Sequence, residues 1–248
     1  MKPNNSQKIS IIIPVLNEEH YIGTLLSHLN QNATASNIVE ILCVDGGSRD
    51  HTQGIAKYHG AKVIKTRKGR AKQMNHGAKY AQGDILYFLH ADTFPPEHFD
   101  KMILNAVENG FETGCFRMQF DTKNLFLRFF AWFSRINHSL CRGGDQSLFV
   151  TQDIFKQTTG FNEAYLIYED TEFIRRLYKH ARFKVLPNYV VTSARKYREL
   201  GLLRLQFHFA MIHLKNYLGA GPDELYRYYR KNILTGSDAI QSSISRSA

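Results

Sequence analysis

Between Ile9 and Leu89, short apolar runs rich in β-branched residues alternate with segments of helical period, and this alternation restricts the fold more than any other feature of the chain. Ile9 to Val15, Val39 to Val44, Lys62 to Lys65 and Asp84 to Leu89 read as strands; Glu19 to Leu29, Thr52 to Tyr58 and Ala71 to Ala81 read as the helices between them. Strands joined through helices need right-handed crossovers, so the expected class is α/β, a mostly parallel sheet flanked by helices. A chain of 248 residues, 43% of them hydrophobic, can bury the core that such a sheet requires.

The middle is less regular. Thr113 to Phe120 and Ser147 to Thr151 have strand character, Leu125 to Ile136 reads as an aromatic amphipathic helix, and Thr171 to Lys179 reads as a helix with Phe173, Ile174 and Leu177 on one face. From Leu200 the chain is helical in period, aromatic and basic, and a Ser-rich tail from Ser237 is expected to be disordered. No internal repeat and no Pro-rich or Gly-rich linker interrupts the chain. The expected organisation is one domain over 1–195, a C-terminal helical extension over 196–236 and a tail over 237–248.

Parallel sheets bind ligands where strands end at their carboxyl edge. Three such ends carry acids: Pro14-Val15-Leu16-Asn17-Glu18-Glu19, Val44-Asp45-Gly46-Gly47-Ser48 and Leu89-His90-Ala91-Asp92. Singly, Asn17 reads equally well as a helix N-cap, Asp45 to Ser48 as a turn and Asp92 as a cap for the next helix. Together they match the needs of a nucleoside diphosphate: an acid for base or ribose, close backbone approach at glycines, and cations at the pyrophosphate. The loop Thr66-Arg67-Lys68-Gly69-Arg70-Ala71-Lys72 sets four basic residues before or at a helix start, where N–H groups and the dipole favour anions. A solvated charge run is the alternative reading of that loop.

In order and spacing, these strand ends, with Gly69-Arg70-Ala71, Gln73-Met74-Asn75, Gly144-Asp145-Gln146 and Glu169-Asp170, resemble the family 2 inverting glycosyltransferases. Within that family the chain looks most like a bacterial subgroup whose acid motif reads His-Ala-Asp. The resemblance runs over about residues 9 to 195 and implies a GT-A fold, with a donor-binding half over about 9–95 and an acceptor half over about 96–195. It implies transfer from a nucleotide-diphospho-sugar, a UDP-sugar by preference, to a hydroxyl, assisted by Mg²⁺ or Mn²⁺. By the same resemblance Glu18 and Asp45 contact ribose and base, Pro14 and Asn17 shape that loop, and Gly46, Arg67, Arg70 and Ala91 line the donor site. Asp92 would hold the metal and Asp170 would be the general base. Asp145 and Gln146 would lie beside the acceptor cleft, although a Gly-Gly-Asp turn explains the same residues.

One departure matters: relatives commonly have Asp-x-Asp where this chain has His90 in the first position, which leaves a sugar contact, a partner of the metal site or a structural role open. Phe173, Ile174 and Leu177 lie at i+3, i+4 and i+7 from Asp170. That spacing turns Asp170 towards the core side, with Glu169 rotated by about 100° from it. A base and a metal suffice for inversion, because the acceptor proton needs a carboxylate and the leaving diphosphate needs positive charge.

The net charge of +10 calls for a polyanionic partner: nucleic acid, an acidic membrane surface or a phosphate-bearing substrate. Nucleic acid is disfavoured, because no recognised binding motif accompanies the charge and the acids at the strand ends would repel a phosphate backbone. A nucleotidyltransferase would want a Gly-rich loop where the chain has Asn17-Glu18-Glu19, and a dehydrogenase would want G-x-G-x-x-G there. A relative that only binds nucleotide sugar is a further reading, against which the intact Glu169-Asp170 speaks.

Cys43, Cys115 and Cys141 are widely spaced with no C-x-x-C pair, which argues against a disulfide framework and for a reducing compartment. The polar start Met1 to Lys8 has no signal-peptide core, and no run reaches the ~18 apolar residues of a membrane span. A cytoplasmic protein, soluble or at the inner face of the membrane, is therefore expected. Leu125 to Phe133 and Leu202 to Leu218 are apolar beyond what one buried face needs, and nine Lys and Arg face four acids from Arg195 onward. Two readings stay open: these helices pack on the core or on a partner in a homodimer, or they dock on a membrane, which a lipid-linked acceptor would suit.

Overall fold

The computed structural model describes residues 7–234, so the tail expected from Ser237 and the start of the polar N-terminal stretch lie outside the described residues. The chain divides into two compact units, one made of the chain up to Glu163 with Glu169–Ser193, the other of Ala164–Tyr168 with the chain from Ala194.

The first unit holds β1 (Ile9–Val15), α1 (Glu19–Asn32), β2 (Ile38–Asp45), α2 (Thr52–Tyr58), β3 (Lys62–Lys65), α3 (Arg70–Tyr80), β4 (Ile85–Phe88), β5 (Thr93–Phe94) and α4 (Phe99–Glu108). It continues with β6 (Thr113–Phe120), α5 (Leu125–Trp132), β7 (Leu148–Thr151), α6 (Gln152–Gln157), α7 (Glu169–His180) and β8 (Phe183–Thr192). The eight strands form one sheet in the order β3-β2-β1-β4-β7-β6-β8-β5. Every neighbouring pair from β3 to β4 is parallel, as the sequence pattern requires. Beyond β4 the sheet is mixed: β7 runs antiparallel to both β4 and β6, and β8 runs parallel to β6 and antiparallel to β5.

All seven residues of β1 are buried, because helices cover both faces of a central parallel strand. Its side chains alternate between two cores: Ile9, Ile11 and Ile13 join Leu25, Tyr87 and Phe99 on one face, and Ile12 joins Val44, Met74 and Phe173 on the other. α1 buries Ile22, Leu25, Leu26 and Leu29, the i, i+3, i+4, i+7 stripe that identified it in the sequence. The helix expected over Leu125 to Ile136 ends sooner: α5 stops at Trp132 and passes into a 3₁₀ turn over Phe133–Arg135.

β8 is not among the strands expected from the sequence, where Pro187 and Asn188 split it into two short β-rich runs. The structure accommodates both as a bulge: the register with β6 steps from Phe116↔Leu186 to Arg117↔Tyr189, leaving two residues unpaired. α4 follows Pro95-Pro96 and starts after His98, a left-handed residue with φ 57°, so Asp92 does not cap it.

The second unit consists of α8 (Arg195–Leu200), α9 (Leu202–Tyr217) and α10 (Pro222–Asn232), packed around a small core of Leu205, Ile212, Leu225 and Ile233. Among the described residues no helix is long and apolar enough to cross a membrane.

Candidate functional site

The parallel strands β1 and β2 stay paired to Val15 and Asp45, and a buried side chain bridges their carboxyl ends. Gln73, in the second turn of α3, donates its amide hydrogens to the carbonyls of Val15 (2.9 Å) and Val44 (2.8 Å). The two following loops are sewn together. Asn17, in the left-handed region that Asn tolerates (φ 54°), donates its N–H to Ser48 Oγ and accepts at Oδ1 from the Arg49 N–H. Asn17 is therefore a loop tie and not a helix cap. The Glu18 N–H, just ahead of α1, donates to Thr52 Oγ1 at 2.8 Å, and Pro14 is buried inside β1 opposite Val44.

Asp45 is 1% exposed, and its carboxylate accepts from the N–H groups of Gly47 and Ser48 and from the Gln53 side chain. A carboxylate has about four lone-pair sites, so most of its capacity goes to the turn it begins and Oδ1 keeps the freer edge. Gly46 donates its N–H to the Val15 carbonyl, and Gly47 supplies the turn with φ 101°. The basic loop starts at the same strand end, where the Thr66 N–H donates to the Asp45 carbonyl. Arg67 is exposed on that loop, and Arg70 opens α3.

A second group forms around His90, after β4. Its Nδ1 lies 3.6 Å from Asp145 and its Nε2 lies 3.6 Å from Asp170, ion-pair rather than hydrogen-bond distances. Burial pulls the imidazole down, but Asp145 and Asp170 outweigh it and push the pKa up to about 10, against the opposing charge of Arg70. His90 is thus a cation between two acids from different parts of the chain. Gly144 makes that approach feasible: a Cβ on it would stand 2.0 Å from Asp170 Oδ2 and 2.8 Å from His90 Cε1. Ala91 is buried beside this turn, and Asp92 is half-buried at its end.

Glu169 differs from expectation. Instead of turning away, it is buried more deeply than Asp170 (1% against 9% exposed), because the start of α7 meets α3 on one side and the end of β4 on the other. Its Oε1 stands 3.5 Å from Arg70 and has no hydrogen-bond partner. Burial pushes its pKa up to about 7 against the pull of Arg70, with Asp170 adding to the rise. A carboxyl raised in the folded state stabilises below its ordinary value, and that stability is lost as pH rises through the folded pKa. Glu169→Gln is therefore expected to be more stable than wild type near pH 8, by about 1–3 kcal/mol, and so to melt higher, with the gap closing towards about pH 5. Thermal melts of the two proteins across this range check it, and a gap independent of pH would contradict it.

Gln146 was expected beside a substrate, but its side chain points inward. It is 5% exposed, donates to the Cys141 carbonyl at 2.7 Å and accepts from Arg142. Arg142, which the sequence reading counted only as charge, is buried and donates to the carbonyls of Ser134 and Ile136 as well, pinning the loop that delivers Gly144 and Asp145. Asp145 stays exposed on that loop.

Among the described residues no three His, Cys, Asp or Glu gather as a metal cage. Asp92 offers one hard oxygen donor. Mg²⁺ and Mn²⁺ are commonly held by one or two carboxylates together with phosphate oxygens and water, so the donor set fits an ion that arrives with a diphosphate.

Comparison with known proteins agrees with this architecture. Of curated relatives, a dolichol-phosphate mannosyltransferase of Pyrococcus furiosus is 36% identical over 110 residues, 42% of this chain and 31% of that protein. The probable glycosyltransferase YdaM of Bacillus subtilis is 26% identical over 204 residues, 71% of this chain and 48% of that protein. The chain thus matches less than half the length of either relative. Of solved structures, the mannosyltransferase PcManGT from Pyrobaculum calidifontis, in complex with GDP-Man and Mn²⁺, superposes with a TM-score of 0.66 at 16% identity, over 92% of this chain and 70% of that one. S. aureus TarS 1-349 in complex with UDP-GlcNAc gives 0.62 at 22% identity, over 76% and 59%. These likenesses establish the GT-A fold. The model of glycosyl transferase family 2 matches residues 10–152, more than half of the chain, and the chain belongs to that family.

Proposed function

We propose that this protein is an inverting glycosyltransferase that moves one sugar from a nucleoside diphosphate sugar, a UDP-sugar by preference, to a hydroxyl acceptor. The observation that carries this reading is the convergence of Asp170, Asp145 and His90 at the end of β4, in the same sheet whose parallel β1 and β2 end in the Asn17–Asp45 loops. The nucleotide-sugar complexes of TarS and PcManGT support a nucleotide-sugar donor here.

Glu18 and the Oδ1 edge of Asp45 recognise ribose and base, and the Asn17–Ser48 tie holds that cradle in shape. Arg70 and Arg67, at the N-terminal end of α3, bring positive charge to the diphosphate, where the helix dipole already favours an anion. Asp170 accepts the proton of the acceptor hydroxyl as its oxygen bonds to the anomeric carbon; the bond from that carbon to the diphosphate breaks, and the electron pair leaves with the nucleotide. A divalent ion on Asp92, when bound, neutralises charge on the departing diphosphate. His90 and Gly144 fix where the Asp170 carboxylate points.

Chelation is expected to weaken nucleoside diphosphate binding, and Asp92→Asn to weaken it similarly, while His90→Ala has a smaller effect on binding because it touches the acids and not the diphosphate. Release of nucleoside diphosphate from a panel of UDP- and GDP-sugars, with Mn²⁺ or excess EDTA, tests this. Full turnover in EDTA would show that the basic residues alone stabilise the leaving group.

A further inference from the structure

The segment that delivers Gly144 and Asp145 carries a surface that the transfer chemistry does not use. On α5, Leu125, Phe129 and Trp132, at i, i+4 and i+7, are 75%, 59% and 51% exposed, while Leu127 and Ala131 face inward. In the turns that follow the helix, Ile136 and Leu140 are exposed as well. A helix on the surface of a globular protein turns its polar face outward, and a contiguous exposed apolar patch marks a contact surface.

Charge selects the partner. From Thr122 to Gly144 the chain contains no Asp or Glu, whereas Lys123, Arg128 and Arg135 are exposed around the stripe. An aromatic face flanked by Lys123, Arg128 and Arg135, with exposed acids only at its two ends in Asp121 and Asp145, complements a surface that is apolar within and anionic at its boundary, which describes an anionic bilayer. A second copy of the same face would bring like charges together, which costs affinity. Trp132 on this face is also of the type that settles at the headgroup level.

We propose that α5 and the turns that follow it dock in the plane of an anionic membrane, so that the acceptor hydroxyl is presented by a membrane-embedded amphiphile. The docking stands on the surface alone; the acceptor class rests on the reading of this chain as a glycosyltransferase.

Trp132 is the one tryptophan of the chain, so its emission reports on this face and on no other. With the full chain and vesicles of phosphatidylcholine plus phosphatidylglycerol, the emission is expected to shift to the blue and to be quenched by lipids brominated in the acyl chain. Plain phosphatidylcholine or high salt should reduce both effects, because the basic rim loses its counterpart or is screened. Leu125→Ser and Phe129→Ser should each weaken partitioning by roughly tenfold or more. Both positions are exposed, so the melting temperature should hold. Emission unaffected by anionic vesicles at low salt would overturn the docking, as would a blue shift that grows with protein concentration alone, the mark of self-association. Docking without any thermal response to nucleoside diphosphates upholds the surface and overturns the acceptor class.

Discussion

Asp170→Asn is expected to retain the fold and the affinity for nucleoside diphosphate while losing on the order of 10²-fold or more in transfer rate, the usual consequence of removing a general base. The carboxylate is 9% exposed at the start of α7, with Oδ2 3.6 Å from His90 and close against Gly144. The amide keeps the shape and loses the ability to take a proton. The competing account makes Asp170 only a favourable charge at a helix N-terminus, worth about 0.3–1 kcal/mol. In that case turnover stays near normal and the melting temperature falls. Asp145, on the other side of His90, would then be the acid to test next.

Gly144→Ala should be nearly as damaging without altering any ionisable group. The new methyl would stand 2.0 Å from Asp170 Oδ2 and 2.7 Å from its Cγ, far inside contact distance, so the carboxylate must leave its position. Overpacking of this kind costs about 1–3 kcal/mol of stability, which a domain of this size survives. Turnover is expected to fall to about the level of Asp170→Asn, and the double variant should be little worse than either alone, since both remove the same group. Gly143→Ala is the control, because a Cβ there meets nothing within 4 Å. A Gly144→Ala protein with normal turnover would show that the tight closure of this loop on Asp170 is not needed for the reaction.

The parallel half of the sheet was legible because each strand and helix there obeys its own period. Ile9–Val15, Thr52–Tyr58 and Lys62–Lys65 occupy the expected residues, and the parallel order follows from the crossovers. The mixed half was harder to read, since antiparallel neighbours impose no helix between strands and a bulge at Pro187-Asn188 hides β8. In the site, strand-end position drew attention to Asp45, His90 and Asp92, and the family resemblance to Asp170. What it could not reveal was side-chain direction. Asp45 spends most of its carboxylate on its own turn, Gln146 faces inward to Arg142, and Glu169 is buried against Arg70. Gln73 was legible only as part of a motif, since its role depends on two carbonyls that come together after folding. Likewise the short helix expected to carry Asp170 said nothing of Gly144, which is brought to it from a distant loop.

Thermal shift with UDP and GDP, each with and without Mn²⁺, tests whether the ends of β1, β2 and β4 hold a nucleoside diphosphate through acids and a divalent ion. A ligand that binds only the native state raises its melting temperature by mass action, about 2.7 kcal/mol of stabilisation at a hundredfold excess over Kd. A clear rise is expected with one of the two nucleotides, larger with Mn²⁺ than without it, and no rise in Asp45→Ala, which loses the carboxylate proposed to meet the base and the turn it holds. No shift with either nucleotide in the presence of Mn²⁺, or an undiminished shift in Asp45→Ala, would contradict this assignment.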